Sequence, residues 1–285
     1  MPVVNKQYRT RITRHTRTIQ GYREDLGNGV PLNMVLIPKG HFTMGSPAGE
    51  LEHTDDEGPQ HEVYFPEDFF MGMYPVTQAQ WKAVARLPPV DPTIKLDPDC
   101  SQFTGDDLPV EQVNWYEAKE FCDRLSVLTK RNYDLPTEAE WEYACRAGTT
   151  TAFYFGETIT PDIANYNGKY SYGNGPKGEY REQTTPIGSL KSANSWGLHD
   201  MHGNVWEWCL DHWHDSYGDK PEELKQDGNA TWLSSDEPKD RLLRGGSWNV
   251  FARLCRSACR GRLAPDLRDT FNGGFRVVCR ASRTL

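Results

Sequence analysis

Several things are missing from this sequence, and each absence removes a class of function. No stretch approaches the ~18 consecutive apolar residues of a membrane-spanning helix. Met1 to Gln20 is polar and basic with no apolar core, so it does not read as a Sec signal peptide. On that reading the default address is the cytoplasm, where the seven cysteines stay reduced thiols. No two cysteines stand in a C-x-x-C pair. There is also no phosphate-binding P-loop, no dinucleotide fingerprint and no G-x-S-x-G elbow. Basic residues are in deficit: 32 Lys and Arg against 40 Asp and Glu leave a net charge of −8, which argues against nucleic acid as a partner.

What is present is aromatic. Hydrophobic residues make up 37% of the 285, but nine Trp, 13 Tyr and 11 Phe supply large buried surfaces. Twenty-five Gly and 19 Pro point to many turns and short elements. Residues 1–25 read as a basic arm, with Lys6, Arg9, Arg11, Arg14, Arg17 and Arg23 and no acid before residue 24. Residues 26–285 read as a single domain.

Short apolar runs between glycines predict strands over 20–46, and 61–74 holds another strand pair. Residues 47–60 form an acidic loop. Three helices have start signals: Thr77 with Gln80 three residues on, Asn114 before WYEAKEFCDRLSVLT, and Thr137 with Glu140. Beyond residue 150 periodicity fades, and 151–245 read as irregular Gly-, Asn- and Trp-rich chain.

Eight ordered segments carry a resemblance: MVLIPKGHFTMGS (34–46), GPQHEVYF (58–65), YPVTQAQW (74–81), LPVEQVNWYEAKEFCDRLS (108–126), YDLPTEAEWEYACRAGT (133–149), TTPIGSLKSANSWGLHDMHGNVWEW (184–208), RLLRGGSWN (241–249) and NGGFRVV (272–278). Together they resemble the formylglycine-generating enzyme, or sulfatase-modifying factor, superfamily. The resemblance implies an α+β, elaborated C-type-lectin-like fold with much irregular structure. The enzymes of that family use two cysteines to hold Cu(I) and oxidise a peptidyl cysteine, and soft thiolates suit that ion. Here the first cysteine position, two residues after Gly245-Gly246-Ser247-Trp248, holds Val250, and counting places Cys255 at the second. One thiolate cannot make the two-coordinate site, so no copper is expected and the chain leans away from being an enzyme.

The resemblance also implies calcium at Asp200–Glu207, with the Asp200 and Glu207 carboxylates and the Gly203 and Val205 carbonyls as ligands. Asn165 would belong to a second site. His199, His202, His212 and His214 match no strong metal spacing, and Ser247 has no nucleophile signature around it.

The residue alphabet changes near the end. Lys, Glu, Gln, Met and Trp fill about a fifth of the chain but none of residues 249–274. Those types have no codon ending in a pyrimidine. This stretch resembles the variable proteins of diversity-generating retroelements, in which a templated reverse transcriptase randomises adenines. The resemblance implies a fixed frame with free slots in a variable segment, 249–273. The slots are Val250, Phe251, Leu254, Cys259, Gly261, Leu263, Leu267, Asp269, Thr270 and Phe271. Frame arginines 253, 256, 260, 262 and 268 are expected to anchor loops by multiple hydrogen bonds. The expected function is therefore non-catalytic display of a binding surface to a protein or other macromolecule. The alternative is a copper-dependent oxidase using Cys255.

Overall fold

Each long helix is opened by a side chain that satisfies its first backbone N–H groups. The computed structural model describes residues 11–235, 239–268 and 272–280. The chain enters through five strands: β1 (Gly21–Asp25), β2 (Pro31–Ile37), β3 (Gly40–Met44), β4 (His61–Phe65) and β5 (Phe69–Gly72). Helices α1 (Gln78–Ala85), α2 (Trp115–Thr129) and α3 (Glu138–Arg146) follow, with β6 (Asn132–Asp134) between the last two. Thr77 with Gln80, Asn114 with Glu117 and Thr137 with Glu140 all form complete capping boxes. After a long irregular stretch come β7 (Trp206–His212), a one-turn α4 (Glu222–Lys225), β8 (Arg241–Arg244), β9 (Arg260–Leu263), β10 (Gly273–Gly274) and β11 (Val278–Arg280).

The strands form a five-stranded sheet in the order β1-β2-β5-β11-β6, a four-stranded sheet β10-β7-β8-β9 and the pair β3-β4. Two expectations are corrected here. The basic arm ends at Gln20 rather than Asp25, because 21–25 pair antiparallel with β2. Tyr22 packs edge-on against Phe70 and its hydroxyl shares a 2.8 Å hydrogen bond with Tyr133. The strands within 61–74 do not pair with each other. β4 joins β3, while β5 lies between β2 and β11.

One core cluster centres on Trp81, Phe121 and Phe275, and a second on Trp141, Phe65 and Tyr143. A third, smaller cluster of Phe153, Tyr166 and Tyr172 takes in Ala252 and Cys255 and so underlies the C-terminal segment. The irregular stretch is held by side chains that bond backbone. Asn194 Nδ2 donates to Ala144 O at 2.7 Å and Cys145 O at 3.2 Å. Among the described residues no helix is long and apolar enough to cross a membrane.

Candidate functional site

Strand β8 ends in Gly245 and Gly246, both at positive φ. A Cβ on Gly246 would lie 2.6 Å from Cys255 Sγ, so the turn requires glycine there. Ser247 is buried and donates to Asn249 Oδ1 at 2.6 Å, a structural role. The chain then makes a short 3-10 turn over Ala252–Cys255 and returns as β9, with Arg260 opposite Arg244.

Guanidiniums pin this return, those of Arg244, Arg256 and Arg260 buried and that of Arg268 at the surface. Arg256 bonds both oxygens of Glu57 (2.7 and 2.5 Å), Glu50 Oε1 (2.7 Å) and the carbonyl of Glu52 (2.7 Å). Burial alone would raise the Glu57 carboxyl, but Arg256 holds it below its ordinary value. Arg260 bonds Glu138 at 2.7 Å and the carbonyls of Asp56 and His214. Arg244 bonds Glu142 and the carbonyls of Ala258 and Cys259, and Arg268 pairs with Glu117. The acidic loop 47–60, Glu138 and Glu142 of α3 and Glu117 of α2 are thus the counter-charges of the segment. Sequence reasoning did not assign Glu50, Glu57, Glu138 or Glu142 that role. The available signal was a loop rich in acids in one part of the chain and a segment rich in arginines in another.

Two of the five frame arginines do not anchor. Arg253 is exposed. The Arg262 side chain is also exposed, with its cation 4.9 Å from the Trp213 ring centre and only distant carboxylates, Asp215 at 3.7 Å and Asp240 at 3.8 Å. They border a hollow of about 270 Å³ that Leu254, Cys259 and Gly261 also line.

The slots divide by depth. Phe251 (42% exposed) and Leu267 (47%) stand in solvent, and Phe251 meets Tyr170 edge-on at 4.6 Å. Val250, Leu254 and Leu263 are half-buried against the core, and Gly261 lies 3.1 Å, by its absent Cβ, from the Trp206 ring. Cys259 is a correction: it is 4% exposed, inside the core, with its thiol pushed up to about 12 by burial. Its small apolar side chain fills space between β8 and the buried arginines. Asp269, Thr270 and Phe271 lie outside the described residues.

For oxidase chemistry the donors are wrong. Val250 offers no thiolate, and Cys255 is fully buried with its thiol pushed well up by burial. The histidines do not converge either. His202 bonds Cys255 O through Nδ1 at 2.7 Å and accepts from Tyr154 N at 3.1 Å. His212 Nδ1 accepts from Ser234 N, and His214 stacks on Trp232 at 3.6 Å. Among the described residues no group of three or more His, Cys, Asp or Glu is placed to hold a metal.

Of the calcium candidates, Gly203 and Asn165, expected at separate sites, lie against each other. A Cβ on Gly203 would lie 2.2 Å from Asn165 O, and Asn204 N donates to that oxygen at 2.8 Å. Asp200 Oδ2 accepts from Gly188 N at 2.8 Å, and burial pushes this carboxyl up to about 6. Asn165 Oδ1 is buried without a partner. Both features suit a cation. Glu207 is already matched, by Arg276 on both oxygens (2.6 and 2.7 Å) and by Trp141 Nε1 (2.6 Å).

A mixed α+β scaffold carrying an irregular C-terminal segment on buried arginines defines a formylglycine-generating-enzyme-like protein of the elaborated C-type-lectin-like class. The chain belongs to the sulfatase-modifying factor enzyme 1-like domain family, whose model matches residues 27–281. The inactive Cα-formylglycine-generating enzyme 2 of Bos taurus is 28% identical, over 91% of this chain and 92% of that protein. PvdO from Pseudomonas aeruginosa superposes with a TM-score of 0.76 at 30% identity, over 93% of this chain and all of that one. Treponema denticola variable protein 1 superposes with a TM-score of 0.73 at 24% identity and the same coverage, a likeness of fold.

Proposed function

We propose that the chain is a non-catalytic ligand-binding protein whose segment 249–273 is a diversified display surface. One observation carries this reading: the centre of the frame is buried while most of the slots reach solvent. Frame residues Ala252, Cys255, Arg256, Ser257, Ala258 and Arg260 are buried, while six of the seven described slots (all but Cys259) reach solvent. A rigid base with adjustable contacts is how binding loops are commonly built. Phe251 and Leu267 supply apolar contacts, and Leu254 and Gly261 line the adjacent hollow.

The DNA tests the class directly. The reading expects a near-copy of the coding region for 249–273 close to the gene, mismatched only at adenines and beside a reverse-transcriptase gene. A locus without that copy overturns it. Copper-dependent, oxygen-consuming turnover of a cysteine peptide would instead establish the oxidase.

The proposal includes structural calcium. Asp200 and the carbonyls of Gly203 and Val205 would hold the ion, with Glu207 shared between it and Arg276 and Asn165 Oδ1 turned towards it. The ion would cross-link an irregular turn. Chelation by EDTA should lower Tm by several degrees and added Ca²⁺ restore it. An unchanged Tm removes calcium from the reading.

A further inference from the structure

A second hollow, of about 580 Å³, lies beneath residues 12–19, and no residue of the C-terminal segment lines it. Its floor is apolar, built from Met73, Tyr154, Phe155 and Ile163, and Ile12 and Ile19 close it from above. Ile19 is seated on Gly197, where a Cβ would lie 2.6 Å from its Cδ1. The Tyr154 hydroxyl is spent on Ser192, so the floor offers ring surface rather than a polar group.

The charge around this hollow runs against the rest of the chain. Arg14, Arg17 and Lys191 border it, yet no Asp or Glu does, although the chain carries 40 of them. Among the described residues none of these three cations has a carboxylate within 4.0 Å. Arg14 Nε donates only a long 3.4 Å bond to the backbone carbonyl of Lys191. Like charges gathered at an apolar cleft repel, and an anion placed among them relieves that repulsion. Arginine adds a planar fork that matches a carboxylate. His199 Nδ1, at the same wall, is a buried polar atom with no hydrogen-bond partner among the described residues. Apolar walls with a few convergent polar groups are the usual make-up of small-ligand sites.

We propose that this hollow binds an organic anion with an apolar body. Its carboxylate would sit among Arg14, Arg17 and Lys191 and its hydrocarbon or ring on Tyr154 and Phe155, with the segment 12–19 as the roof. The site is independent of the display reading and stands or falls separately.

Calorimetry on the full chain with decanoate, decan-1-ol and decylamine tests it. Decanoate should bind one to one, at least ten-fold more tightly than the alcohol, and the amine should not bind. The double variant Arg14→Gln/Lys191→Gln should weaken decanoate at least ten-fold with Tm unchanged, since both side chains are exposed. Removing residues 2–18 should have the same effect. Decanol binding as tightly as decanoate, or decanoate binding that ignores the substitutions, overturns the proposal, as does no binding of decanoate at all. Such an anion can be a free acid or a chain terminus. Displacement of decanoate by a peptide ending in Leu-Phe with a free carboxylate, but not by its amide, assigns the site to a chain terminus, and failure of both peptides to displace assigns it to free acids.

Discussion

At the scale of single residues, charge burial decides most of what the C-terminal segment does. Removing Arg256 leaves Glu57 buried without a counter-charge, and breaking such a pair costs about 3–5 kcal/mol. Arg256→Met should therefore lower the unfolding midpoint in urea by that equivalent. Phe251→Ser and Leu267→Ser, by contrast, should stay within about 0.5 kcal/mol of the parent, because both side chains already stand in solvent. Losses of 2 kcal/mol or more at either position would make them core and remove the display reading.

His202 supplies one part of the pH dependence, beside His199 and His214, which burial also pushes down to about 4, and Asp200 and Asp211, pushed up to about 6. Burial pushes His202 down to about 3, and both ring nitrogens are in use. Unfolding restores a value near 6.5, so the unfolded chain takes up a proton that the folded chain refuses. Its contribution is present above about pH 6.5 and is lost as pH falls, at up to about 1.4 kcal/mol per pH unit. A His202→Asn variant should start less stable and show a shallower fall in Tm between pH 6.5 and 4.5.

At the scale of elements, the helices were legible and the sheets were not. A capping box is written within four residues, so Thr77, Asn114 and Thr137 announced α1, α2 and α3. Thr137 also donates its hydroxyl to Gly228 O at 2.7 Å, a contact 91 residues away that no local pattern shows. Thr137→Ala should accordingly cost more than a simple cap, about 2 kcal/mol against the usual ~1, read by thermal melting. Thr77→Ala is the comparison that isolates the cap. Strand partners depend on long-range packing, which explains why 21–25 fell within both the basic arm and the strand-bearing stretch 20–46, and why β4 and β5 were read as partners.

For the whole molecule, the ordered motifs carried the fold from sequence alone, and the codon-like alphabet marked out 249–273 as the surface that the display reading proposes. Depth was not legible. Cys259 and Leu254 are equally apolar in sequence, yet Cys259 is 4% exposed and Leu254 half-buried, because the chain turns between them and directs Cys259 behind β8. Arg253 and Arg256 look alike in the frame, and only the acidic loop folded over Arg256 separates an anchor from an exposed cation.

The order β1-β2-β5-β11-β6 places the last described strand in the interior of the larger sheet, bonded to β5 on one side and β6 on the other. Translation reaches β11 only after the whole of 249–273 has been made. A chain that stops early within that segment leaves a gap between two strands and has no closed core. If the segment is diversified as proposed, the fold would also proofread its own gene, because a product cut short there lacks the strand that closes the larger sheet. Stop codons all end in purines, so a segment diversified only among pyrimidine-ending codons would rarely be cut short in that way.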